Sequence, residues 1–134
     1  MTKTITDYAL RTRLDSSYEQ AVAHVIGALK QEGFGVLTEI DVQATLKKKL
    51  DADFRKYVIL GACNPSLAHQ ALTADLEIGL LLPCNVIVYE EDDGSVVSIV
   101  DPISMLGVVE NPELEVVAQE ARARLQRVIE ALSD

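Results

Sequence analysis

The apolar residues of the chain recur with two alternating periods, and each change of period marks a change of element. From Tyr8 to Leu14 the period is two. Tyr8, Leu10, Thr12 and Leu14 share one side of an extended chain and Ala9, Arg11 and Arg13 the other, which predicts a strand with one buried face. Tyr18, Val22, Val25, Ile26 and Leu29 then recur at helical spacing until Gly33. Ser16 and Glu19, three residues apart, form a capping-box pattern before them, so a helix is predicted over residues 17 to 31. "GFGVLTEI" predicts a second strand over residues 34 to 40, and Val42, Leu46 and Leu50 mark one face of a short helix from Asp41.

The second half of the chain is read the same way. "FRKYVILGAC" is rich in β-branched and aromatic residues and is apolar on both faces in its second half, as a central strand requires. Asn64-Pro65 predicts a helix start, since the asparagine side chain can accept from a free backbone N–H and proline suits the first helical position. That helix is expected over residues 65 to 73. "CNVIVYEE" and "SVVSIVD", joined by "DDG", predict a hairpin with strands over 85 to 91 and 95 to 100. "LEIGLLLP" fits either a helical turn or a buried extended strip. Asn111-Pro112 repeats the cap of Asn64-Pro65. After it Leu114, Val117, Ala121, Leu125, Val128 and Leu132 form one stripe, with acids early and Arg122, Arg124 and Arg127 late, as the helix dipole prefers.

This order of elements implies an α+β fold, an antiparallel sheet covered on one face by the two long helices, 17 to 31 and 112 to 132. The 134 residues contain no tandem repeat, low-complexity tract or composition shift, so residues 1 to 134 are expected to form a single domain. A formal net charge of -9, from 21 acidic and 12 basic side chains, would repel a polyphosphate or an anionic bilayer surface. The one basic cluster, Lys47-Lys48-Lys49, is answered by Asp51 and Asp53 and reads as a solvated helix face. No nucleic acid and no membrane are therefore expected as partners. "MTKTITDYALRTRLD" has no apolar run behind its lysine, and the expected location is cytoplasmic.

In a reducing compartment the only two cysteines, Cys63 and Cys84, are read as thiols, ligands or core residues rather than as a disulfide. There is no phosphate-cradling glycine loop, Gly-x-Ser-x-Gly, His-x-x-x-His or Cys-x-x-Cys. Cys63 closes a predicted strand just before a capped helix, where the dipole would lower a thiol pKa. Cys84 opens the next predicted strand after Pro83. Side by side, these strands would bring both sulfurs to one end of the sheet, a site for a soft metal such as copper or zinc, or for thiol chemistry. Against that, cysteine commonly packs as a small apolar core residue. His69, on the following helix, and Asp101, before Pro102, are the groups expected to support such a site, although Asp-Pro is more often a turn or helix cap. Asn64 shapes the helix start. His24 is expected to face solvent, and Glu39, near a strand end, and Asp101 could supply general acid-base groups if they faced a cleft.

"GACNPSLAHQAL", "IGLLLPCNVIVYE" and "VDPISML", in that order, together with "EGFGVLTEID" ending the first helix, resemble the Domain of Unknown Function 302 family of bacteria and archaea over nearly the whole chain. Cys63, Asn64, Pro65, Leu82, Pro83, Cys84, Asp101 and Pro102 fall on the shared motifs. The resemblance implies a strand-helix unit, an antiparallel sheet and a final helix, similar to one half of the TATA-binding-protein fold, and implies a homodimer. It implies no activity. The leading expectation is a non-enzymatic protein binding a small molecule or soft metal ion at the Cys63/Cys84 end of the sheet, without a required cofactor. The alternatives are a thiol-dependent redox or sulfur-transfer enzyme, in which Cys63 attacks and Cys84 resolves, and a structural interaction module.

Overall fold

The computed structural model describes residues 8 to 133. The elements run β1 (Ala9–Leu14), α1 (Tyr18–Gln31), β2 (Gly35–Asp41), α2 (Val42–Leu50), β3 (Tyr57–Cys63), α3 (Pro65–Ala74), a 3-10 turn (Leu76–Leu81), β4 (Cys84–Glu91), β5 (Gly94–Val100), α4 (Pro102–Leu106) and α5 (Pro112–Leu132). The five strands form one antiparallel sheet in the order β1-β5-β4-β3-β2. This is the α+β architecture that the periodicities predict. The ambiguous "LEIGLLLP" resolves as the 3-10 turn, whose Asp75 cap accepts from the Glu77 N–H and whose Ile78 is fully buried.

Strand alternation sorts the sheet into a covered and an open face. Leu10 and Leu14 of β1, Val58, Leu60 and Ala62 of β3, Val86 and Val88 of β4, and Val97 and Ile99 of β5 are buried in one cluster with Val25 and Leu29 of α1 and Leu125 and Val128 of α5. The residues that alternate with them along the strands occupy the open face, where Tyr57 and Tyr89 stack with ring centroids 5.3 Å apart and Ile40, Ile59 and Ile87 share one row. A second cluster, containing Leu67 and Ala71 of α3, Ile78, Leu106 of α4 and Leu114 and Val117 of α5, packs beyond the end of the sheet.

Local chemistry ends the helices as expected, with one displacement. The cap of α1 is Ser17 rather than Ser16: its hydroxyl accepts from the Gln20 N–H at 3.2 Å. Ser16 instead offers its carbonyl to the fully buried Ser95 hydroxyl, and Glu19 pairs with Lys56 at 2.7 Å, so the predicted capping box does not form. Gly33 takes φ +84°, and the N–H of Phe34 closes back on the Leu29 carbonyl at 2.9 Å, ending α1 in a left-handed turn. Lys47 pairs with Asp51 and Asp53 at 2.9 and 3.2 Å, which leaves the basic cluster a solvated face of α2.

Candidate functional site

The register between β3 and β4 decides whether the two cysteines meet. Ala62 lies directly opposite Cys84, so Cys63 stands one residue past that pair, on the alternate side of its strand, at the end of the sheet from which α3 departs. Between the two apolar clusters at that end is a cavity of about 340 Å³. Both cysteines line it, as does Asn64. The strands supply Leu37 and Thr38 as well as the thiols, α3 supplies Leu67, Ala68, Ala71 and Leu72, and α5 closes it with Val117 and Ala121. None of the lining residues is Asp, Glu, Lys, Arg or His.

Backbone chemistry fixes the cysteine end. The Asn64 side chain is 8% exposed and accepts from the Leu67 N–H at 3.1 Å, capping α3 as the Asn-Pro pair predicts. Gly33 makes room for it, because a Cβ at that position would stand 2.9 Å from the Asn64 amide nitrogen. A Cβ at Gly61 would collide with the Thr38 hydroxyl and lie 2.8 Å from the Pro83 ring, so these two cavity-lining residues close over Gly61. A bulge in β2 between Val36 and Thr38 lets Leu37 line the cavity while remaining 69% exposed.

The electrostatics reverse one expectation. Burial pushes the Cys63 thiol pKa up, and burial followed by the neighbouring Cys63 pushes Cys84 up to about 11. The lowering expected from the α3 dipole is not found at Cys63, where loss of water raises the thiol. Asn64 already takes one of the N–H groups at that helix end. At neutral pH both thiols are protonated and behave as soft, weakly polar wall groups.

A stability consequence follows from Cys84. A thiol whose folded pKa is raised contributes stability that is fully present below its unfolded pKa and is lost as pH rises through the folded value. From an ordinary value of 9.0 to about 11, the expected loss is on the order of 2 kcal/mol across that window. Burial also raises the Tyr18 and Tyr57 phenols, which adds pH dependence of the same sign. The reading is therefore the difference between the parent and Cys84→Ala in urea unfolding at about pH 8 and at about pH 10.5. A parent curve no steeper in pH than that of the variant would contradict the buried, protonated thiol.

The other sequence-derived site residues stand apart. His69 is exposed on α3, where its carbonyl accepts from the Thr73 hydroxyl at 2.7 Å, and it does not line the cavity. Asp101 caps α4 by accepting from the Ile103 N–H at 2.9 Å and pairs with Arg122 at 3.2 Å; only the next residue, Pro102, reaches the cavity. Among the described residues no group of three or more His, Cys, Asp and Glu is placed to hold a metal ion. His24 is exposed on α1. The residues that sequence reasoning did not assign to the site are its apolar walls: the spacing of Leu67 and Ala71, or of Val117 and Ala121, is the same for a cavity wall as for a filled core.

No described helix is long and apolar enough to cross a membrane. No curated protein matches the chain. Among solved structures, an uncharacterised conserved DUF302 protein from Bacillus stearothermophilus superimposes with a TM-score of 0.87 at 29% identity, covering 95% of this chain and 99% of that one. A family model described as domain of unknown function DUF302 matches residues 10–132, the whole span from β1 to the end of α5. With the ordered cysteine, proline and aspartate motifs on the elements just described, the chain belongs to the DUF302 family.

Proposed function

We propose that the protein binds a small apolar ligand in the cavity at the Cys63/Cys84 end of the sheet. The observation that carries this reading is a space of about 340 Å³ enclosed mainly by apolar side chains and two thiols, with no ionisable carboxylate, amine or imidazole in its wall. That volume falls within the range of small-molecule sites. An unfilled apolar space also lowers stability, so a fold that maintains one forgoes packing that a larger side chain would supply. The soft-metal form of the reading has less support, because two protonated thiols are the whole donor set and copper or zinc needs further ligands. The thiol-enzyme alternative has less support for a related reason: the attacking species would be a thiolate, and burial opposes it at both positions.

The test is titration of the full chain with indole and with octanol while the methyl resonances of Ala62, Ala71 and Ala121 are followed by NMR. Saturable shifts at these methyls are expected. Ala71→Leu fills the cavity from a position that is 1% exposed, and should weaken binding by about tenfold or more while leaving stability unchanged or raised by about 1 kcal/mol. Absence of shifts with both probes would sink the reading.

A further inference from the structure

The cavity has a shape as well as a volume, and the shape narrows the class of ligand. Its lining crosses the ends of three adjacent strands, from Leu37 on the edge strand β2 past Cys63 on β3 and Cys84 on β4, and reaches Pro102 beyond β5. Three strand spacings amount to about 14 Å. A wall of that length suits an extended occupant better than a compact one. The long walls agree. Leu67, Ala71 and Leu72 line it along successive turns of α3, and Val117 and Ala121 lie one turn apart on α5.

The ends of this channel differ. Leu37, 69% exposed, and Gly79, also exposed, both line it, so it opens between the β2 bulge and the 3-10 turn. Leu76 and Leu80 of the same turn stand 82% and 83% exposed, apolar groups on an otherwise acidic molecule. Toward the interior the wall is Ala62, Ala71 and Ala121, none more than 5% exposed. Nothing inside can neutralise an ionised group, and an unpaired charge there would be strongly disfavoured.

Resting on the binding reading above, we infer that the ligand is a single unbranched alkyl or acyl chain, inserted tail first past Leu37 with its polar head left at the mouth in water. An extended chain of about ten carbons spans the three strand spacings. A free fatty acid or alcohol and the acyl arm of a larger carrier share this chemistry. Decanoate and its N-acetylcysteamine thioester, a mimic of the carrier-bound arm, tell them apart: the tighter binder names the source.

Calorimetric titration of the full chain with straight-chain alcohols from butanol to tetradecanol, with decanoate and with 1-adamantanol tests the inference. Affinity is expected to rise about fourfold per added methylene, the equivalent of about 0.8 kcal/mol, and then to level off near ten carbons. Adamantanol, with as many carbons as decanol in a compact cage, should bind at least about tenfold more weakly, since a compact cage leaves most of the wall uncovered. Decanoate at neutral pH should bind within about tenfold of decanol, because its head stays in water. Ala71→Leu should move the break to chains about three carbons shorter; where that variant does not fold, Ala121→Val gives a smaller shift in the same direction.

If adamantanol binds as well as decanol, or the alcohols show no dependence on length, the chain inference fails while the small-ligand reading stands. A steady rise with no break through tetradecanol also overturns it, as does loss of decanoate binding. If no compound binds and the cavity methyls do not shift, both fall.

Discussion

Gly61→Val is expected to lower the unfolding free energy by about 3 kcal/mol or more, read as a fall in the urea midpoint at unchanged slope. Gly61 pairs with Thr38 on one side and Asn85 on the other, in the middle of β3. Any Cβ there meets the Thr38 hydroxyl and the Pro83 ring, and valine adds two further carbons to the same collision. Thr38 can yield by rotating its side chain, whereas the proline ring and β4 behind it cannot move without disturbing the Ala62–Cys84 pair. A glycine inside a strand ordinarily weakens it, so a neutral or stabilising outcome would be the normal result of such a substitution at an open position. That outcome here would show that Thr38 and Pro83 do not close over Gly61. Thr38→Ala in the Gly61→Val background should recover part of the loss, and the coupling between the two changes measures how much of the penalty lies in that contact. Because both residues also line the cavity, Gly61→Val should weaken decanol binding even under conditions where the variant is folded.

Leu125→Ala should cost about 3 kcal/mol, within the range for a fully buried leucine that leaves a hole behind. Leu125 is 0% exposed and sits on α5 within the cluster that α1 and the covered face of the sheet complete. α1, α5 and the covered face of the sheet meet in this cluster, and none can collapse far without breaking the packing of α5 against α1. Val116, 65% exposed on the same helix, provides the control: Val116→Ala should change stability by less than about 0.5 kcal/mol. Equal costs at the two positions would contradict the assignment of the helix face. Leu125 does not line the cavity, so ligand affinity in folded Leu125→Ala protein should be preserved, separating loss of fold from loss of site.

Much of this architecture is legible in the order of residues, because its causes are local. The alternation of Leu10, Thr12 and Leu14 follows from the two-residue period of a strand, and Leu10 and Leu14 are the buried residues of β1. The stripe from Leu114 to Leu132 is the buried face of α5. Asn64-Pro65 and Asn111-Pro112 cap their helices through side-chain oxygens that reach only two or three residues. Where several local devices compete, the pattern misplaces the cap by one residue, as at Ser16 and Ser17. Either serine could accept from the first turn, and the buried Ser95 hydroxyl on a strand far away in sequence engages Ser16 instead.

The site is legible only in part. That Cys63 closes one strand and Cys84 opens the next can be read on either side of one short helix, and Asp101 can be read as a cap. Whether those strands are neighbours, and whether the sulfurs are charged, cannot. Their state depends on how much water the surrounding walls remove, and those walls come from β2, α3, α4 and α5 together.

By itself, then, the sequence determined the periods, the caps and the turns, and through them the order of elements and the α+β class, since each depends on interactions within a few residues or on a repeated pattern along one segment. Tertiary structure alone decided that two apolar clusters meet without filling the space between them, that Leu37 is bulged to its mouth, and that His69 and Asp101 stand outside its wall. A cavity is a shortfall of volume among side chains contributed by segments distant along the chain, and no local pattern records the volume that is missing.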